Sequence, residues 1–231
     1  MSSIDNNITD VFFDLDHTLW DFDRNSGLAF QRMFKNHNIQ IPLEDFLPIY
    51  EPINFTYWKA YREERVTKEE LRRGRFQDAF EPFGVHFSTN ELDALATSYI
   101  EELPKDNYLF KGVIPLLEYL FDKYKLHIIT NGFEEVQHLK LKNSKIDHFF
   151  KTVTTSEEVG VKKPNPRVFH KALEKANVLA QNSVMVGDTF EADILGAEAV
   201  GMYTLFYNYR VEQVPLNYRT VDDIYEIKKY L

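Results

Sequence analysis

Asp10-Val11-Phe12-Phe13-Asp14-Leu15-Asp16-His17-Thr18-Leu19-Trp20 begins as an apolar run and ends in acid. Val11, Phe12 and Phe13 have the character of a short strand covered on both faces. Asp14 and Asp16 follow with one residue between them, and in extended backbone that spacing puts both carboxylates on the same side. Two like charges so close repel each other unless one is protonated or a cation lies nearby. The stretch therefore predicts a metal-assisted site at the carboxyl end of the first strand.

Outward from that stretch, the chain changes character twice. From Asn25 to Leu103 it reads as helices without a convincing strand. Asn25 to His37 is a first helix, and residues 43–65 a helical region in at least two pieces, because Pro48 and Pro52 interrupt it. Thr67-Lys68-Glu69-Glu70 and Ser88-Thr89-Asn90-Glu91 are capping boxes that each open a helix. After Asp106, apolar strands alternate with helices. The strands are Leu126–Thr130, Thr152–Thr155, Ser183–Val186 and Tyr203–Tyr207. Asn165-Pro166 is an N-cap followed by proline at the first helical position. Glu191 to Val200 reads as a helix stopped by Gly201, and Thr220 as the cap of a last one. This alternation predicts an α/β fold, a parallel sheet with helices on both faces. The boundaries are 1–20 and 108–231 for the α/β core and 21–107 for a helical insert.

Composition narrows the function classes. The 231 residues carry a formal net charge of −9, and 44% are hydrophobic. That net charge argues against a general binder of nucleic-acid polymers, since neutralising phosphates needs clustered cations. There is no Cys, which removes disulfides, thiolate nucleophiles and Cys-based zinc sites. Met1 to Thr9 is polar and lacks a signal-peptide pattern, and no apolar run has membrane-spanning length. The expectation is a cytoplasmic protein without a membrane partner, a monomer or weak homodimer.

In an open parallel sheet, ligands bind beyond the carboxyl ends of the strands. Asp14 and Asp16, then Thr130 and Asn131, then Asp188 with Asp193 five residues on, all fall there. Lys163 lies in the loop Gly160-Val161-Lys162-Lys163-Pro164-Asn165-Pro166. Carboxylate oxygens suit Mg²⁺, and a lysine with a hydroxyl suits the oxyanions of a phosphoryl group. The set fits phosphoryl transfer with a carboxylate nucleophile. Each residue also has a plain reading: a strand-end hydroxyl for Thr130, a helix N-cap for Asp188, a helix-start charge for Asp193.

Four segments in order resemble the haloacid dehalogenase (HAD) superfamily of phosphatases. Asp14 to Thr18 is similar to its D-x-D-x-T motif, Ile128 to Gly132 to its second motif, Lys163 in Lys-Pro-Asn-Pro to its third, and Gly187 to Asp193 to its G-D-x-x-x-x-D motif. The resemblance implies a Rossmann-like core with a helical C1-type cap. It implies Asp14 as nucleophile, forming an aspartyl-phosphate, and Asp16 as general acid and base. Thr130 and the Asn131 backbone would bind phosphate, and Lys163 would neutralise charge. Mg²⁺ would be held by Asp14, the Asp16 carbonyl and Asp188, with Asp193 behind them. Thr130–Phe133, Ser156–Val161 and Lys163–Pro166 further resemble the branch of 5′-nucleotidases acting on pyrimidine and non-standard nucleoside monophosphates. His17 departs from the glutamate or glycine commoner there. The expected substrate is a small phosphorylated molecule, a nucleoside 5′-monophosphate. The alternatives are a sugar phosphate or phosphoglycolate, then a haloacid dehalogenase or a non-catalytic binding protein. In the insert, Arg75 and Phe76 are candidates for substrate contact, against the plain reading of Arg72, Arg73 and Arg75 as a solvated helix face.

Overall fold

The computed structural model describes residues 7–231. Residues 1–6, part of the polar N-terminal reading, lie outside the described residues. The chain divides into two compact units. One runs to Phe22 and resumes over Asn107–Leu231; the other is Asp23–Asp106.

The first unit is built on six strands. They are β1 (Asp10–Phe13), β2 (Lys125–Thr130), β3 (Phe150–Thr155), β4 (Ser183–Gly187), β5 (Tyr203–Tyr207) and β6 (Thr220–Val221). All neighbours pair in parallel, in the order β3-β2-β1-β4-β5-β6. Parallel strands are buried on both faces, and β1 and β4 are buried at every residue. On one face Phe12, Ile129 and Met185 pack with Val168, Phe169, Ala172 and Leu173 of a helix over Pro166–Ala176. On the other side a helix over Val113–Phe121 packs against β2 and buries Val113, Leu116, Leu117 and Leu120. The chain crosses from β1 to the β2 side, then returns to place β4 on β1's other edge. The crevice between the carboxyl ends of β1 and β4 is therefore the topological switch point, where such sheets bind ligands.

The second unit is helical. Helix α1 (Phe22–Asn36) enters it, followed by α2 (Leu43–Arg62), α3 (Lys68–Phe80) and α4 (Thr89–Glu102). Both capping boxes form: the Glu70 N–H donates to Thr67 Oγ1 (3.1 Å) and the Thr67 N–H to Glu70 Oε2 (2.7 Å), with the reciprocal pair at Ser88 and Glu91. The unit's core is aromatic. Phe30 lies 4.5 Å from Tyr50 and 4.7 Å from Tyr99, centroid to centroid, and Phe46 lies 4.8 Å from Phe80.

Three expectations need correction. Pro48 and Pro52 do not split the second helix; α2 runs through both for 20 residues. The two prolines are four apart and exposed, so the carbonyls they leave unpaired face water rather than core. Thr220 caps no helix. It pairs in β6 beside β5, and the cap falls on Asp223, whose Oδ1 accepts the Tyr225 N–H (2.9 Å) at a short 3₁₀ helix, Ile224–Lys229. The β-branched pair Thr-Val suits an edge strand better than a helix start. The expected helix from Glu191 to Val200 instead opens as a π-helix over Phe190–Leu195, with one short α turn, Gly196–Glu198, after it. Wide turns of this kind often mark functional sites, and this one carries Asp193.

Candidate active site

β1 delivers Asp14 to the switch point, where the Asp14 N–H donates to the carbonyl of Val186 on β4 (2.9 Å). Lys163 reaches it from the loop before the Pro166–Ala176 helix, 149 residues away in sequence. The ammonium is 2% exposed and donates three hydrogen bonds: to Asp14 Oδ1 (2.6 Å), to Asp193 Oδ1 (2.7 Å) and to the Ile129 carbonyl (2.8 Å). All three of its donors are used. Burial alone would push the Lys163 ammonium down, but Asp14 and Asp193 outweigh it and hold it above the usual lysine range.

The Lys163 loop is itself anchored. Asn131 Oδ1 accepts the Lys163 N–H (2.8 Å), and Asn131 Nδ2 donates to the Lys163 carbonyl (3.0 Å). The side chain of Asn131 is thus committed to the loop. Thr130 is buried, and its Oγ1 accepts from the Gly132 N–H (3.1 Å) and from Gln137 Nε2 (2.5 Å). With both lone pairs occupied, its hydroxyl proton is free to be donated.

Asp188 leaves the end of β4. Its Oδ1 accepts from Thr18 (3.2 Å), and its Oδ2 lies 3.3 Å from Arg210 Nη1. Asp193 turns back on the π-helix so that its Oδ2 accepts the Thr189 N–H (2.9 Å). That return needs Gly187, since a Cβ there would lie 2.3 Å from Asp193 Oδ2. Asp14, Asp188 and Asp193 are all buried and each offers a carboxylate oxygen within 4.8 Å of the others. Burial first, and then the neighbouring carboxylate charges against the pull of Lys163, push the Asp14 carboxyl up to about 7. Burial and the charges of Asp14 and Asp193 push Asp188 well above the carboxylate range. Lys163 and the half-exposed Arg210 beside Asp188 do not offset the three carboxylates, since Asp14 and Asp188 are still pushed upward. Hard oxygen donors with an excess of negative charge fit a divalent cation such as Mg²⁺.

Asp16 is two residues on and half-buried. Its Oδ1 accepts from Lys140 Nζ (2.5 Å) and its Oδ2 from Gln137 Nε2 (3.0 Å). Both donors come from helix Glu134–Asn143 and both are buried. Burial holds the Lys140 ammonium below its ordinary value, with Asp16 opposing the shift. The sequence reading singled out neither residue. The available signal was their place: Gln137 and Lys140 stand four residues before and after Leu141 and Val136, the helix's buried apolar positions. His17 has left-handed backbone (φ 63°), and Tyr209 Oη and Arg210 Nη2 both lie 2.9 Å from its Nδ1.

Arg75 and Phe76 lie in the helical unit, and both are buried there. Phe76 packs in the aromatic core, 5.7 Å from Tyr99 and 5.9 Å from Phe30. Arg75 Nη1 donates to Asn54 Oδ1 (2.9 Å), its guanidinium stands 5.2 Å from the Tyr99 ring centroid, and its Nε and Nη2 have no partner among the described residues. Arg73, by contrast, pairs outward with Asp93 (2.8 Å).

Comparison with known proteins gives the family. Residues 11–207 match the haloacid dehalogenase-like hydrolase family. The chain is 34% identical over 225 residues to pyrimidine 5′-nucleotidase YjjG of Escherichia coli (strain K12), covering 96% of both. It is 34% identical over 202 residues to the glyceraldehyde 3-phosphate phosphatase of Pyrococcus abyssi (strain GE5 / Orsay), covering 86% of this chain and 81% of that one. Its fold resembles the crystal structure of the HAD-hydrolase YfnB of Bacillus subtilis, bound to magnesium, with a TM-score of 0.88 and 27% identity over 96% of this chain and 97% of that one. No helix among the described residues is long and apolar enough to cross a membrane. With four motifs at one end of a parallel sheet and a family match over most of its length, the chain belongs to the haloacid dehalogenase-like hydrolases.

Proposed function

We propose that the protein is a Mg²⁺-dependent phosphomonoesterase acting on a nucleoside 5′-monophosphate, with pyrimidine nucleotides the preferred class. The observation that carries the chemistry is the buried cluster of Asp14, Asp188 and Asp193, with Lys163 bonded to Asp14 and Asp193. Asp14 Oδ2 has no hydrogen-bond partner among the described residues, while Oδ1 is held by Lys163. That leaves a fixed carboxylate with one oxygen for attack.

In the proposed reaction an Asp14 oxygen bonds to phosphorus as the ester P–O bond breaks, and Asp16 gives its proton to the leaving oxygen. A water then attacks the aspartyl-phosphate and gives a proton back to Asp16. The bond between Asp14 and phosphorus breaks, and inorganic phosphate leaves. Thr130 donates its hydroxyl proton to a phosphoryl oxygen, and Lys163 holds the Asp14 charge in place. Asp14, the Asp16 carbonyl and Asp188 would hold Mg²⁺, with Asp193 bracing Lys163 behind them. Bound there, the cation supplies fixed positive charge beside the phosphoryl oxygens.

The nucleotide reading is supported by similarity to the YjjG nucleotidase over nearly the whole chain. A triose phosphate is the second reading, supported by the Pyrococcus relative. In the helical unit Arg75, though buried, is the specificity candidate, since its Nε–H and Nη2–H have no hydrogen-bond partner among the described residues. The reading places the enzyme in the cytoplasm as a monomer or weak homodimer. A panel of pyrimidine and purine nucleoside monophosphates, glyceraldehyde 3-phosphate and phosphoglycolate, assayed with Mg²⁺, tests it. The highest kcat/KM is expected for a pyrimidine nucleotide; a higher value for the triose phosphate would replace the nucleotidase reading with the sugar-phosphate one.

A further inference from the structure

Asp16 is held at both oxygens by side chains from a single helix, Glu134–Asn143. Each of its oxygens accepts from a different side chain, Lys140 at 2.5 Å and Gln137 at 3.0 Å. The two donors stand three residues apart on one helix, so they share a face and reach the carboxylate together. Gln137 is 0% exposed and Lys140 2%. Neither position is cheap to fill with a polar group. A buried ammonium costs several kcal/mol in desolvation, roughly, unless it is well paired, and Asp16 is the carboxylate that pairs with Lys140. The ring of Trp20 lies 4.2 Å from the same nitrogen and covers it.

Gln137 does a second thing. Its Nε2 also donates to Thr130 Oγ1 (2.5 Å), so a single amide ties Asp16 to the strand-end hydroxyl. Its Oε1 is buried without a partner among the described residues, a cost of about 1–3 kcal/mol for an unmatched acceptor. The amide also needs Gly132: a Cβ there would lie 2.2 Å from Gln137 Nε2. A glutamine kept at these costs, on a helix with ordinary apolar alternatives, is placed for orientation rather than for stability.

We propose that Lys140 and Gln137 are positioning residues, a two-point clamp that fixes the plane of the Asp16 carboxylate relative to Thr130 and the nucleophile. The inference rests on the phosphatase reading, in which Asp16 moves a proton at the leaving oxygen and then at water. Without the clamp, Asp16 rotates freely about its side-chain bonds, and a displacement near 1 Å at a reacting group costs about 10²-fold in rate. A residue that acts only through orientation changes kcat and leaves substrate binding alone.

The test compares the parent chain with Lys140→Met, Lys140→Arg and Gln137→Met, in the full-length protein with Mg²⁺. Lys140→Met is expected to lower kcat by about 10- to 100-fold with KM within about threefold, and Lys140→Arg, which keeps a charged donor, to recover most of the loss. In an Asp16→Asn background, followed with p-nitrophenyl phosphate, Lys140→Met should cost less than about twofold more, since the group it orients is gone. An unchanged kcat in Lys140→Met, a rise in KM alone, or an undiminished loss in the Asp16→Asn background would overturn the proposal. If Lys140→Met does not fold, Gln137→Met carries the comparison: a kcat loss of about threefold or more supports the clamp, and parental kcat overturns it. Inactivity of the parent chain on every phosphate ester would instead overturn the phosphatase reading.

Discussion

The α/β unit and the helical unit bury opposite kinds of side chain. At the carboxyl ends of β1 and β4, the α/β unit buries Asp14, Asp188, Asp193, Lys163 and Lys140 within one cluster. The helical unit buries Phe30, Phe46, Tyr50, Phe76, Phe80 and Tyr99 and keeps an ion pair such as Arg73–Asp93 at the surface. Its one fully buried cation, Arg75, has an amide and aromatic rings for company rather than a carboxylate. Aromatic burial stabilises a fold; packed carboxylates oppose it. Where a protein gathers like charges in its interior, stability is not what selected them.

That contrast can be broken at either end. The largest effect is expected for Asp14→Asn. It should reduce phosphatase turnover by about 10⁴-fold or more while leaving thermal stability equal or higher, because it removes a charge from a self-repelling cluster. Lost activity together with a lower Tm would mean that the cluster holds the fold. Phe30→Ala should do the reverse. Loss of its contacts in the aromatic core should cost about 3–5 kcal/mol in urea unfolding, with the site residues untouched. A cost under about 1 kcal/mol would show that the rings do not carry the helical unit. A smaller effect belongs to the capping boxes. Thr67→Ala should cost about 1 kcal/mol and leave kcat and KM unchanged.

The smallest effect is a titration far from the site. His127 Nε2 lies 2.9 Å from Asp10 Oδ1, both buried between β1 and β2. Burial pushes the Asp10 carboxyl up, but the hydrogen bonds from His127 and Thr9 outweigh it and hold it below its ordinary value. A carboxyl depressed in the folded state contributes stability that is present above its unfolded value of about 3.9 and is lost as pH falls through the lower, folded value. The gap in unfolding free energy between the parent and Asp10→Asn should therefore close as the pH is taken below about 4. A gap that stays constant down to acid unfolding would remove this pair from the stability of the sheet.

Most of the α/β unit could be read from sequence because its signals are local. A buried parallel strand is an uninterrupted apolar run, and the acid or hydroxyl just past its end marks where the ligand lies, as at Asp14, Thr130 and Asp188. The capping boxes at Thr67 and Ser88 were equally local. What escaped depended on direction rather than composition. Pro48 and Pro52 lie on an exposed face, where the carbonyls they orphan can bond water, and α2 runs through both. Thr220 offered the sequence a cap, but the open edge of β5 used it as a strand. Gln137 and Lys140 escaped because a polar residue on a helix signals burial only when its apolar neighbours are used to fix the face. The π-helix that turns Asp193 back to Lys163 has no composition of its own.

β1 is nearly the first structured segment of the chain, yet its partners come late. Asp14 is bonded to Lys163, 149 residues on, and Thr18 to Asp188, 170 residues on. At about 5–20 residues per second of synthesis, the first loop waits on the order of ten seconds for those partners. β2 and Lys140 are made earlier, but until Lys163 and Asp188 follow, Asp14 has neither its lysine nor the carboxylates of β4 and the π-helix beside it. A growing chain therefore lacks the assembled site, which is complete only once β4 lies beside β1.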